Sequence, residues 1–305
     1  MKYLDLSESL RASAVSLGCM RMAGKSEKEV DDVVLAALSL GVDHFDHADI
    51  YGGGRSEELF GGFLRRHPET RKNILIQTKC GIRRGQYDFS YEHIVSSVEG
   101  SLRRLGVEHI DILLLHRPDT LMEPEEVARA FDDLEKSGKV GAFGVSNHNP
   151  MQIELLKTAV RQPLIIDQLQ LSPTEAGMFT SGMNVNMKNP ESQMHDGSIL
   201  EYARIKGITI QAWSPFQFGF FEGMYLGNRE RFPALNKTLD DLAEKYEITP
   251  AGVVTAFLLR HPAGIQMIAG TMDPTHLRQI CAGADIALTR GEWYEIYRAA
   301  GHCLP

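Results

Sequence analysis

The sequence predicts an α/β fold, a (β/α)8 TIM barrel with an N-terminal β-hairpin. Three observations carry that expectation. Eight short apolar runs recur along the 305 residues, helical patterns lie between them, and ionisable or amide side chains stand where the runs end. Near-continuous apolar strands alternating with helices indicate a parallel sheet covered by helices. Eight such units favour closure into a barrel over an open doubly wound sheet, and functional groups then follow the C-terminal ends of the strands.

Residues 3–6 and 12–16 alternate polar and apolar about a polar turn, which reads as a hairpin able to plug one end of the barrel. The first barrel run spans residues 17–20. Val30, Val33, Val34, Ala37 and Leu38 then form a helical stripe closed by Gly41. Residues 44–46 make the second run. Ser56 followed by Glu57 and Glu58 reads as an N-cap with acids in the first helical turn. Runs at 74–79, 110–116, 140–146, 164–168, 208–213 and 266–270 complete the eight. Pro124 opens a helix whose Val127, Phe131 and Leu134 share one face up to Gly138. Thr249-Pro250 and Asp273-Pro274 each set a capping side chain before a proline at the first helical position. No Pro-, Ser- or Gly-rich linker divides the chain, so residues 1–305 read as a single domain.

A hydrophobic content of 43% is ample for a packed core, and 24% charged residues suit a solvated surface. The net charge of −8 argues against a general binder of nucleic acid or of anionic membranes. Cys19, Cys80, Cys281 and Cys303 are scattered, without a C-x-x-C, so neither a disulfide framework nor a zinc ribbon is indicated. With no basic leader before an apolar stretch and no run of eighteen apolar residues, the expected location is cytoplasmic. No G-x-G-x-x-G follows a predicted strand and no G-K-[ST] closes a glycine loop, which excludes Rossmann and P-loop nucleotide sites.

The strand-end residues, in order, are Asp46 with Tyr51, Lys79, His116, Ser146-Asn147, Gln168, Trp213-Ser214 and Gly270-Thr271. A phenol of pKa about 10 is a poor acid at neutral pH. An ammonium at Lys79 would favour its ionised form and lower that pKa, while Asp46 holds the lysine charged. His116 can donate a hydrogen bond to a carbonyl oxygen. The set suits protonation of a carbonyl oxygen as its carbon accepts a hydride or nucleophile. Each residue also has a plainer reading: Asp46 and Lys79 as a buried ion pair, His116 as a structural histidine, Tyr51 as a rim residue. Four such groups at one face are much less readily incidental. Arg117 and His148 stand near the mouth, where either serves a polar group on a substrate or the fold itself.

Five segments, Phe45-Asp46-His47-Ala48-Asp49-Ile50-Tyr51-Gly52, Gln77-Thr78-Lys79-Cys80-Gly81, Leu113-Leu114-Leu115-His116-Arg117-Pro118-Asp119, Gly144-Val145-Ser146-Asn147 and Ala212-Trp213-Ser214-Pro215, closely resemble the aldo-keto reductases. They stand in family order, and the resemblance runs from about residue 12 to the C-terminus, nearest to a bacterial branch of NADP-dependent oxidoreductases. It implies a catalytic tetrad at Asp46, Tyr51, Lys79 and His116, with no metal. A nicotinamide cofactor would give hydride to a small-molecule aldehyde or ketone while Tyr51 protonates the oxygen. It also implies a cofactor cradle. Ser146, Asn147 and Gln168 match residues that bind the carboxamide, and Trp213 falls where a ring stacks on the nicotinamide. Ser214, Pro215, Phe216 and Gly219 match a loop along the pyrophosphate. Gly270, Thr271, Met272, His276 and Gln279 match the adenosine segment, and Gly18, Met20 and Asp46 complete the contacts. The helix starting near Pro274 would offer free backbone N–H groups to a phosphate.

The sequence departs from the family in four places. NADPH is the expected cofactor, with NAD as the alternative, because Met272 is uncharged, Asp273 has the wrong sign and His276 stands where Arg is common. Asp167 replaces a usual Asn, and His47 a usual Thr or Ser. Residues 172–197 form a long connection holding Met178, Phe179, Met183, Met187 and Met194, which reads as a substrate lid, a packed excursion or a subunit contact. Two rival classes have some support in the residues. A metal-dependent barrel hydrolase is prompted by His44, Asp46, His47, Asp49, His116 and His148, but its early H-x-H and late acid are missing. A nucleotide-binding subunit without turnover is the other, against which the intact tetrad stands.

Overall fold

Strands β1 (Tyr3–Asp5) and β2 (Arg11–Ser13) pair antiparallel, Tyr3 opposite Ser13, at the start of a computed structural model that describes all 305 residues. The chain then enters β3 (Val15–Gly18), α1 (Glu27–Ser39), β4 (His44–Asp46), α2 (Arg55–Arg66) and β5 (Leu75–Cys80). A small ribbon, β6 (Ile82–Arg83) and β7 (Gln86–Tyr87), precedes α3 (Tyr91–Leu105). Next come β8 (Ile110–Leu115), α4 (Pro124–Lys136), β9 (Val140–Ser146), α5 (Pro150–Leu156) and β10 (Leu164–Gln170). Helices α6 (Gly177–Met183) and α7 (Ile199–Lys206) lead to β11 (Thr209–Trp213) and a second ribbon, β12 (Gln217–Phe218) with β13 (Gly223–Met224). The chain ends with α8 (Pro233–Lys245), α9 (Pro250–Leu259), β14 (Gln266–Ala269), α10 (Pro274–Cys281) and α11 (Arg290–Ala299).

Eight of these strands close a barrel in the order β3, β4, β5, β8, β9, β10, β11, β14, with every pairing parallel and β14 returning to β3. The expected fold class and hairpin are therefore present. The hairpin plugs the N-terminal end: Leu6 and Ala12 pack with Ile112, Leu114, Ile165 and Ile166 inside the barrel. The larger core lies between the strands and the helical ring, from Val15 and Phe45 to Phe257 and Tyr297. Each large apolar side chain buried there contributes on the order of 1.5–3 kcal/mol.

Two local expectations are corrected. The run at 17–20 ends as strand at Gly18, and Met20–Gly24 forms a 3-10 turn. Ser56 does not cap α2, because the helix already begins at Arg55 after Gly54 in the left-handed region. The Ser56 hydroxyl is buried without a partner inside the first turn, which leaves Glu57 and Glu58 as the acids there.

Candidate active site

The turn after β4 delivers Tyr51. Gly52, Gly53 and Gly54 have φ of 59, 65 and 94°, so the chain reverses at once and α2 starts without delay. A Cβ on Gly52 would stand 2.2 Å from the Ala23 side chain, and the turn admits none there. Asp46 closes β4, Lys79 lies near the end of β5 and His116 follows β8, on three neighbouring strands. The Lys79 ammonium, fully buried, donates to Asp46 Oδ1 at 2.7 Å, to the His47 carbonyl at 2.9 Å and to the Tyr51 hydroxyl at 3.1 Å. Those three bonds satisfy the three donors an ammonium has. The edge of one ring meets the face of the other between Tyr51 and His116, with centroids 6.0 Å apart.

Below this cluster the barrel interior holds a ladder of amides that composition did not suggest. Gln77 and Gln168 donate to Asp46 Oδ1 at 2.6 and 3.1 Å. Both also donate to Gln211 Oε1, and Gln211 donates to Gln266, whose amide reaches the Ser13 carbonyl in β2. A carboxylate only accepts, so Asp46 fixes which way the Gln77 and Gln168 amides face. The signal was legible in principle: a glutamine at an inward position of four apolar strands has to find partners inside the barrel.

Electrostatics follow from burial. Burial alone would raise the Asp46 pKa, but the Lys79 ammonium and the amide donors bring it below the ordinary value. Burial would likewise neutralise Lys79, and Asp46 and Tyr51 reverse the direction, so it stays charged. Tyr51 departs from expectation. Desolvation raises its pKa more than Lys79 lowers it, and the phenol is held protonated beyond the usual range. Burial, with Lys79 and Arg117 nearby, pushes His116 down to about 3, so its ring is neutral. It has no hydrogen-bond partner in the protein, and its Nδ1 is fully buried.

The expected cradle residues line the same mouth in part. Ser146 Oγ donates to the Gln168 carbonyl at 2.9 Å and accepts from Asn147 Nδ2 at 2.7 Å, while Trp213 Nε1 donates to Asn147 Oδ1 at 3.2 Å. Asn147 and Ser214 hold left-handed φ of 62 and 52°. Pro215 and Phe216 pin the next loop through Tyr225, and Gly219 is fixed by Gln170 and Glu175. Met20 is exposed on the rim. Gly18 serves packing, since a Cβ there would stand 2.8 Å from Ile268 Cγ2. Across the rim, Gly270 accepts from Arg21 at 2.9 Å, a cation the sequence reading passed over. Met272 packs against the core. Gln279 lines a cavity of about 320 Å³ with Leu226, Gly227 and Arg229, and the Arg229 guanidinium pairs with Asp240 at 2.6 Å.

One expectation is corrected here, and two alternatives left open by the sequence are decided. The start of α10 is not free for a phosphate, because Asp273 accepts from the Thr275 and His276 N–H groups at 2.7 and 3.4 Å, and Thr271 Oγ1 takes the Asp273 N–H. His276 points to solvent. In the long connection, Met178 and Phe179 are buried in the main core, with Phe179 against Trp293 at 5.4 Å, so its first part is a packed excursion, while Met187 and Met194 beyond it are exposed. His148 is also structural: it bonds the Ser146 carbonyl at 3.0 Å and stacks near Phe89. The histidines of the metal reading diverge, His44 bonding Ser16 and His47 lying against Phe60.

The barrel's mouth thus holds a lysine-coupled phenol beside a neutral imidazole, a pair able to protonate and orient a carbonyl oxygen. The Aldo/keto reductase family profile matches residues 14–300, and the chain belongs to that family. It is 34% identical over 314 residues to the 6-dehydroglucose reductase of Agrobacterium fabrum, with 98% of each chain covered. It is also 34% identical over 293 residues to the oxidoreductase YdhF of Escherichia coli, covering 92% of this chain and 90% of that one. Among solved structures, the thermostable aldo-keto reductase Tm1743 superposes with a TM-score of 0.77 at 23% identity, covering 98% of this chain and all of the other, which speaks for the fold. The activity that goes with this membership is reduction of a carbonyl compound by a nicotinamide cofactor, or its reverse.

Proposed function

We propose that the chain is an NADPH-dependent reductase of aldehydes or ketones, able to act in reverse as an alcohol dehydrogenase, with Tyr51 as the proton donor. The observation that carries this reading is the Lys79 ammonium bridging Asp46 and the Tyr51 hydroxyl at 2.7 and 3.1 Å. Tyr51, neutral at physiological pH, gives its proton to the substrate oxygen, and the phenolate left behind is stabilised by Lys79. Asp46 keeps that lysine charged and fixed. His116, a neutral ring, donates to the same oxygen and orients the carbonyl. When bound, the nicotinamide supplies the hydride.

The residues fit a carboxamide. Gln168 turns its amine to Asp46 and Gln211, which leaves its oxygen for a donor, and beside it Asn147 keeps one amide N–H free while the Ser146 hydroxyl, its proton given to the Gln168 carbonyl, can accept. Arg21 and Arg229 supply cations near the rim and the side cavity, where the phosphates and adenosine would lie. A Bombyx mori aldo-keto reductase of the same fold was solved with NADP, which supports NADPH as the partner, with NAD as the alternative. The proposal includes a cytoplasmic setting: the four cysteines are free, and no helix is long and apolar enough to cross a membrane. The deciding experiment titrates the protein with NADPH and NADH, then follows cofactor oxidation over a panel of aldehydes and ketones. Binding of neither cofactor, or no turnover of any carbonyl compound, defeats the reading.

A further inference from the structure

Arg117 follows His116 directly, and its side chain crosses the mouth of the barrel. The guanidinium carbon lies 5.8 Å from the centre of the Trp213 ring and 5.7 Å from that of Phe220. Arg117 leaves β8, whereas Trp213 ends β11, and β9 and β10 stand between these strands in the barrel order. The arginine therefore arches over two strand ends and the space above His116. Its charge reaches that imidazole, being one of the causes that keep the ring neutral.

This cation is half-buried, yet no carboxylate pairs with it and it makes no hydrogen bond in the protein. Elsewhere partly buried arginines are matched: Arg104 by Glu57 and Arg71 by Asp111. The nearby carboxylate, Asp119, is turned away and takes the N–H groups of Phe89 and Leu121. Two aromatic faces hold the guanidinium and leave its N–H edge unmatched. A guanidinium so placed forms paired, charge-assisted bonds with a planar anion. The chain as a whole carries a net charge of −8, so this cation is not part of a generally basic protein.

We infer that Arg117 determines specificity and that the carbonyl substrate carries a carboxylate at the end away from the reacting carbon. The inference rests on the carbonyl-reductase reading above. The substrate's carbonyl would meet Tyr51 and His116 while its anionic end meets Arg117, with Trp213 and Phe220 walling the stretch between them.

Matched pairs test this: 4-carboxybenzaldehyde against its methyl ester, and 4-oxobutanoate against its methyl ester, each with NADPH. The enzymes are the wild type, Arg117→Met and Arg117→Lys. NADPH affinity is measured separately by fluorescence. The wild type should favour the acid in at least one pair by tenfold or more in kcat/KM. Arg117→Met should cut that preference tenfold or more, mainly through KM, and Arg117→Lys should keep part of it. Raising the salt concentration should raise the wild-type KM for the acid and not for the ester, a readout that needs no variant to fold. Esters favoured in both pairs, a preference unmoved in Arg117→Met, or an NADPH affinity that falls in step with substrate affinity would each overturn it. In the last case Arg117 would be a cofactor-phosphate residue. If none of the four aldehydes is reduced although NADPH binds, the reductase reading itself fails and takes this inference with it.

Discussion

Asp167 and Gln168 are neighbours on β10 and face opposite sides of the sheet, and their fates differ. Gln168 enters the barrel and donates to Asp46, whereas both Asp167 carboxyl oxygens are buried outside it with no hydrogen-bond partner. Desolvation drives the Asp167 pKa up to about 8, and the nearby His148 and Asn147 backbone N–H groups, which form no hydrogen bond with it, lower it only in part. A carboxyl whose folded pKa exceeds its unfolded value near 3.8 costs stability progressively as pH rises from about 4 to about 8. Asp167→Asn should therefore stabilise the protein at pH 8, by roughly 1–3 kcal/mol after allowing for the amide's own unmatched donor, and do little at pH 4. Urea midpoints at the two pH values check this, and an equal effect at both would sink it.

That pair also shows what the sequence makes legible. Eight apolar runs and capped helices were enough for the barrel, because burial on both faces leaves near-continuous hydrophobic strands. The grouping of Asp46, Tyr51, Lys79 and His116 could be read from strand ends, since a barrel collects them at one rim. The direction of the Tyr51 shift could not be read, because it is a contest between desolvation and one ammonium that depends on depth in the fold. The glutamine ladder was missed because Gln77, Gln211 and Gln266 pair across strands distant in sequence. The capping of α10 by Asp273 was visible in the Asp-Pro pair, but its competition with a phosphate for the same N–H groups was not drawn from it.

Acid should destabilise the fold early. His44, His47 and His148 are buried with pKa values lowered to about 4, and His116 to about 3, in each case first by desolvation. The unfolded chain takes up these protons near pH 6.5 and the folded one does not, so stability is lost as pH falls below about 6.5. Each histidine contributes about 1–2 kcal/mol of this loss at pH 5. The relief at Asp167, and at Asp49, whose pKa burial raises to about 6, opposes it, but these are two groups against four. Thermal midpoints that stay level from pH 7 to 5 would contradict the burial of these rings.

Tyr51→Phe should lower carbonyl reduction by the roughly 10²–10⁴-fold expected for losing a general acid, with NADPH affinity little changed. Because desolvation holds the phenol above its ordinary range, its ionisation should not limit reduction below about pH 10. Lys79→Met removes the opposing influence, so it should slow the reaction without bringing in a break at lower pH. A basic limb near pH 8 that shifts in Lys79→Met would show that Tyr51 is far more acidic than its surroundings indicate.

Phe179→Ala tests the packed reading of the connection after β10. The ring lies 4.8 Å from His261 and 5.4 Å from Trp293, and nearby Thr180 shares a hydrogen bond of 2.9 Å with Tyr297. Its truncation should cost roughly 3–5 kcal/mol of stability, as large-to-small changes in a filled core do. KM for small and bulky aldehydes should move together and little. A rise in KM confined to bulky substrates, with stability intact, would return this segment to the role of a lid.

Cofactor choice should respond to Asp273. Its carboxylate caps α10 through the Thr275 and His276 N–H groups and is stabilised there in its charged form, first by the Thr275 bond. A 2′-phosphate approaching this helix start would meet that negative charge in place of free donors, and His276 is exposed and turned 3.9 Å from the same carboxylate. Asp273→Ser keeps a capping oxygen and removes the charge, so the helix should lose little stability. Removing an exposed like charge beside the phosphate predicts a modest gain in NADPH over NADH binding, larger at low salt. Ratios of the two dissociation constants, measured by fluorescence at low and high ionic strength, decide the matter. An unchanged ratio at low salt would mean that the phosphate lies away from α10, nearer Arg229 and the cavity it lines with Gln279.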